Sequence, residues 1–240
     1  LSTQHGAPGE GPGAEEALKK EGSIRQGYRR ARRDAEKTER RHAILAAAHA
    51  LLCEIPLESL SMAVLAAKSG IAKGTLYLYF ETREEVLLAL WVERLEAWGR
   101  RLSDALHDGM ADEAFARSFL AASLADPTFL PLRARLDSVI EHNVSREKLI
   151  ESKRTMRDLL VRLAPSLERC LRLRSGDGVR ALTALATLLL GASASHGESP
   201  FDPADLPGDV VEFMHAFHCE DLFLTYAPML LSGIRAGTQR

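Results

Sequence analysis

Cysteine is scarce: Cys53, Cys170 and Cys219 are the only three in 240 residues. They are odd in number and far apart, and none has the short spacing of a paired metal ligand. That excludes a disulfide framework and fits buried thiols kept reduced in a cytoplasm. Long hydrophobic runs are also missing. The longest, residues 181–194, falls short of the roughly 20 residues a spanning helix needs, so no membrane partner is expected. The first residues carry no secretory-leader pattern. Net charge is nearly absent, since 31 Lys and Arg face 33 Asp and Glu, which argues against a general polyanion binder. No nucleophile elbow, phosphate loop, metal triad or paired catalytic carboxylates occur. No catalytic residue, no metal and no cofactor is therefore assigned, and the chain does not read as an enzyme. Strand-like alternation and internal repeats are lacking too.

Helical periodicity is what remains. Residues 1–23 are rich in Gly, Pro and Glu, with almost no large apolar side chain, and read as a disordered leader. Residues 24–37 form a basic arm. Between Arg25 and Arg41 eight cations face three carboxylates, a net charge of +5, while the rest of the chain beyond is acidic. Helices are then expected over Thr38–Glu54, from Ser61 to Gly70, over Ala72–Tyr79, and from Arg83 to about Leu106. Ser61 is a plausible N-cap and Gly70 a left-handed C-cap. Thr82, Arg83, Glu84 and Glu85 make a capping box. Further helices are expected over Asp112–Ala125, Pro127–His142, Arg146–Leu173, Asp177–Ser195 and Asp209–Ile234. Pro165 and Pro228 should kink or split the helices that hold them.

The segment Ser61–Arg83, SMAVLAAKSGIAKGTLYLYFETR, is the most informative. It reads as helix, tight turn, helix, a pattern suited to the major groove of DNA. With Ile44, Ala48, Leu65, Ala66, Gly70, Ile71, the run Lys73–Tyr77, Tyr79, Phe80, Arg83 and Leu87, it resembles the DNA-binding domain of the tetracycline-repressor (TetR/AcrR) family of bacterial transcription regulators. The resemblance implies an all-α fold. A three-helix head, residues 38–98 with its helix-turn-helix at 61–80, is joined by a long fourth helix to a ligand-binding and dimerisation body, residues 99–240. It also implies DNA contacts from Ser61, Lys73, Gly74, Thr75, Tyr77, Tyr79 and Arg83. Leu76 and Phe80, four apart, are the inward pair. Ala72 stands where the family usually has a Ser or Thr cap, a loss of about 1 kcal/mol. Arg32 and Arg33 in the arm either enter a minor groove or belong to a solvated charge run that adds salt-sensitive affinity.

In the body, residues 177–195 are apolar and rich in small side chains, and the last helix is apolar around much of its circumference. A homodimer face is expected at Leu182, Leu185, Leu189, Phe213, Phe217 and Leu224. The resemblance also implies that the middle helices enclose a cavity for an unknown small-molecule effector, with Phe119, Phe129, Leu136, Val139, His142, Asn143 and Met156 as candidate contacts. His215 and Cys219 share a helix face but make an incomplete metal site. The expected function is a sequence-specific, ligand-responsive homodimeric repressor on a palindromic operator of double-stranded DNA. The rival is a helical, ligand-independent, nucleoid-type DNA binder.

Overall fold

The computed structural model describes residues 12–195, 201–215 and 218–237, and in the first helix side chains from Arg32 onward. Every regular element among them is helical. Two compact units are distinguished, residues 1–46 and 47–240. The first helix, α1, runs Pro12–Leu52, so helix begins inside the stretch that composition marks as leader. Residues 14–21, AEEALKKE, contain only good helix formers, which is the local reason. Within residues 1–46, Ile44 and Leu45 are buried and the side chains of residues 32–40 are exposed.

In the larger unit, α2 (Met62–Ser69) is capped by the Ser61 hydroxyl, which accepts from the Val64 amide at 3.2 Å. It ends at Gly70, whose φ of 68° is the left-handed conformation that closes a helix without a Cβ penalty. The short α3 (Lys73–Leu76) packs on α2 and has no side-chain cap at Ala72. Its last turn continues through backbone bonds from Tyr79 and Phe80 to the Leu76 carbonyl. The long α4 (Arg83–Ala105) starts at Thr82, which accepts from the Glu85 amide at 3.1 Å. Glu85 reaches back to the Glu81 amide, one residue before the cap.

The body is built around α4. It packs against α5 (Asp112–Leu124), α6 (Phe129–Arg135) and α7 (Arg146–Cys170). A second layer follows, with α8 (Asp177–Ser195) on α7 and α10 (Cys219–Gly237) on α8 and α5. The core is aromatic. Phe129 stacks between Trp91 and Trp98, and Phe119 meets both Trp98 and Phe223.

Further expected helices differ in the body. The one expected over Pro127–His142 is a short α6, then a π turn (Leu136–Ile140) and a 3-10 turn (Glu141–Asn143). The final helix is two, α9 (Gly208–His215) and α10. Pro165 and Pro228 both lie inside intact helices, α7 and α10. Near Pro165, α7 and α8 approach so closely that a Cβ on Gly178 would lie 2.7 Å from the Ala164 carbonyl oxygen.

Candidate functional site

The helix-turn-helix sorts its side chains cleanly. Leu76 and Phe80 are buried and pin α3 from beneath, as their four-residue spacing predicts. Lys73 and Gly74 are exposed, Thr75 and Tyr79 half-buried, and Tyr77 is 44% exposed. One further side chain has no signal in the sequence. Leu78 is 76% exposed, more than either flanking tyrosine, whereas its apolar character alone suggests a buried role. Space around Gly74 is open, with no atom within 4 Å of an added Cβ. Glycine is not required there by its own fold.

Ser61 and Arg83, both expected to contact DNA, also have partners within the chain. The Ser61 hydroxyl is engaged as the α2 cap. The Arg83 guanidinium faces inward: Nη1 donates to the carbonyls of Leu60 (3.3 Å) and Glu58 (3.4 Å), and Nε and Nη2 donate to Glu84 (2.9 and 2.7 Å). It ties the first turn of α4 to the segment before α2. Its position at a helix start resembles that of a phosphate ligand, but the carbonyls of the 57–60 turn lie within its reach.

Other polar ties join the head segments to the body. Glu58 pairs with Arg135 at 2.8 Å, and the Thr82 hydroxyl donates to the Asn143 carbonyl at 3.3 Å. Asp126 accepts from the Thr128 amide and hydroxyl and from His49 Nε2, and Arg94 lies 3.5 Å from its other oxygen. Burial alone pushes the Asp126 carboxyl up, but the hydrogen bonds from Thr128 and His49 outweigh it and hold it below its ordinary value. In the arm, Arg32 is exposed and pairs with Glu36 at 3.0 Å, and Arg33 is exposed.

The body contains an apolar cavity of about 120 Å³ between α4, α5, α6, α7 and α8. Trp91, Leu95 and Trp98 of α4 line one side, and Thr183, Thr187 and Leu190 of α8 another. Of the candidate effector contacts, Phe119, Phe129 and Met156 line it. Leu136, Val139, His142 and Asn143 do not. The π and 3-10 turns carry that segment away: Leu136 is core, His142 is exposed, and the Asn143 side chain donates to the Val139 carbonyl.

Residues 44–90 match the model of the bacterial regulatory proteins of the tetR family, and residues 92–201 match the tetracyclin repressor-like C-terminal domain. The chain belongs to the TetR family. It is a DNA-binding transcriptional regulator and not an enzyme. A possible TetR-family regulator from Streptomyces coelicolor A3(2) is 21% identical, with 82% of this chain and 99% of that one covered and a TM-score of 0.56. The TetR-family regulator PfmR from Thermus thermophilus is also 21% identical over the same shares, with a TM-score of 0.47. The first of these shows the shared fold. No curated protein matches the chain in sequence.

For this TetR-family chain, the expected dimer residues need correction. Leu182, Leu185 and Leu189 are buried within the chain itself, because α8 turns its leucine stripe towards its own body. Leu224 is half-buried and Phe213 is exposed, on α9 rather than on the last helix; Phe217 lies outside the described residues. The outward faces are different ones. On α8 they include Gly191 and Ala194, with Arg180 nearer the helix start, and on α10 Thr225, Tyr226, Met229 and Gly233, with Asp221 nearer the start; Thr183 and Thr187 are exposed too but also line the cavity. The side chain of His215, one of the two groups weighed as metal ligands, also lies outside the described residues. Burial pushes the Cys170 and Cys219 thiols up, whereas Cys53 is exposed. No helix among the described residues is long and apolar enough to cross a membrane.

Proposed function

We propose that the protein is a homodimeric, effector-responsive repressor that reads a palindromic operator. Lys73, Gly74, Thr75, Tyr77 and Tyr79 meet the DNA, joined by Leu78. Lys73, at the start of α3, takes a phosphate or a guanine edge. Gly74 lets the backbone approach. Tyr77 offers its hydroxyl to the groove wall, and Leu78 an apolar contact to a thymine methyl or a sugar. Two copies pair through the outer faces of α8 and α10, around Gly191, Ala194, Tyr226 and Met229, since one small head makes too few contacts for a specific site. The basic arm, with Arg32 and Arg33, adds phosphate affinity.

The observation that carries the regulatory part is the double duty of α4. Its first turn is tied to the head by Arg83, and two to four turns later Trp91, Leu95 and Trp98 wall the cavity. A molecule in the cavity therefore acts on the same rod that holds the head. A coupling of about 1–3 kcal/mol is sufficient for a useful switch.

Selection of bound sequences from random duplex DNA, followed by sedimentation of the complex, tests this reading. The expected result is a palindrome holding an even number of chains. Binding without sequence preference, falling steeply with salt, instead assigns the chain to ligand-independent nucleoid-type binding.

A further inference from the structure

A residue that lines the body cavity carries an unmatched hydrogen-bond donor. Trp91 is 2% exposed and lines the cavity, and its Nε1–H has no hydrogen-bond partner among the described residues. A buried indole N–H ordinarily finds an acceptor, and leaving it without one is costly. The second tryptophan of the wall is satisfied: Trp98 donates to the Ser123 hydroxyl at 3.0 Å, and Ser123 donates to the Phe119 carbonyl at 2.8 Å. The Thr183 and Thr187 hydroxyls donate into their own helix, to the carbonyls of Val179 and Thr183, at 2.9 Å each. Towards the cavity these two offer oxygen lone pairs only. Arg133 brings a cation to the lining, but Asp137 offsets it at 2.7 Å.

We infer that the cavity takes an uncharged aromatic molecule with one carbonyl-type oxygen, and that this oxygen accepts the Trp91 Nε1 hydrogen. This rests on the effector reading above and adds the chemical class. Aromatic character follows from the lining, where Trp91, Trp98, Phe119 and Phe129 offer ring surface to the cavity. The volume of about 120 Å³ suits a single ring system better than a long chain. The absence of net charge follows from the paired Arg133 and the otherwise apolar lining, where a carboxylate lacks compensation.

Acetophenone, ethylbenzene and benzoate form a matched set of probes, alike in size and differing in the polar group. Each is titrated into the full chain without DNA and followed by the two indole N–H resonances, with Trp98→Phe used to assign them. Acetophenone is expected to bind about tenfold more tightly than ethylbenzene and to move the Trp91 indole proton downfield. Trp91→Phe keeps the ring stacking, removes the donor and should bring the two affinities together; Trp98→Phe should leave the gap. Where Trp91→Phe fails to fold, the shift in the unaltered protein decides. Equal affinities in the unaltered protein, a gap that survives Trp91→Phe, tightest binding by benzoate, or no binding by any probe would each overturn the inference. Because DNA is absent, the effector reading fails separately: discrimination between the probes without any effect of acetophenone on operator binding removes the coupling and keeps the cavity chemistry.

Discussion

Arg83 Nη1 donates to the Leu60 carbonyl at 3.3 Å, which makes this arginine a brace between α4 and the turn that precedes α2. A brace and a phosphate ligand behave differently when removed. Arg83→Ala should lower the melting temperature, at a cost of about 1 kcal/mol, because the Leu60 and Glu58 carbonyls lose their donor. The slope of log affinity against log salt should stay unchanged. A slope smaller by about one unit would restore the phosphate role.

Gly74 offers the opposite separation. A Cβ there meets nothing within 4 Å in the protein, so Gly74→Ala should leave the fold intact and raise stability by up to about 1 kcal/mol. Operator affinity should nevertheless fall, about tenfold or more, if the space is filled by DNA. Thermal denaturation and gel-shift titration on the same preparation check both halves. A stabilised variant with full affinity would move the DNA away from this turn.

Tyr77 and Lys73 should divide specificity from charge. Tyr77→Ala should weaken operator binding strongly and leave the dimer intact, since 44% of the residue is open and its neighbour Leu76 carries the packing. Lys73→Ala should reduce the salt slope by about one unit if the ammonium contacts a phosphate. Unchanged gel-shift affinity for Tyr77→Ala rules out its place in the groove.

The head is the more legible half. Ser61, Gly70, Leu76, Phe80 and Thr82 act through local rules, a cap, a left-handed turn or a four-residue spacing, and each stands where those rules put it. The tie from Arg83 to the Leu60 and Glu58 carbonyls is not legible, because those acceptors lie more than twenty residues upstream and no local pattern signals them. The body is less legible for the same reason. An apolar stripe such as Leu182, Leu185 and Leu189 looks identical whether it meets its own chain or a second copy. Likewise the π turn at Leu136–Ile140 carries no composition cue, and its effect is to remove His142 and Asn143 from the cavity.

The outward faces of α8 and α10 give a test of assembly. Met229 is 62% exposed and surrounded by uncharged residues of its own helix face. In a two-fold dimer through this face, Met229→Glu puts two buried like charges near the axis. Sedimentation velocity at micromolar concentration should show a shift from dimer to monomer, with little loss in melting temperature of the separated chain. Leu185→Ala should instead destabilise the fold by about 2–5 kcal/mol, as for any buried leucine. A Met229→Glu protein that stays dimeric would place the interface elsewhere.

Acid should act on the fold through Asp126. Its buried carboxylate collects Thr128, His49 and, more distantly, Arg94, so it joins the end of α1, the middle of α4 and the loop between α5 and α6. The folded form holds this carboxyl below the ordinary value of about 3.9. A depressed folded value means that the ionised group stabilises the fold above the unfolded value, and that this stabilisation disappears as pH falls below about 4 towards the folded value. Asp137 and Glu58 are depressed as well, but both are exposed and should contribute less. Asp126→Asn should cost about 1.5–3 kcal/mol at neutral pH, the range for hydrogen bonds to a charged group. It should also flatten the loss of melting temperature between about pH 5 and pH 3, the interval in which an ordinary carboxylate takes up its proton. Parallel losses in the two proteins over that interval would show that Asp126 is not the acid-sensitive joint.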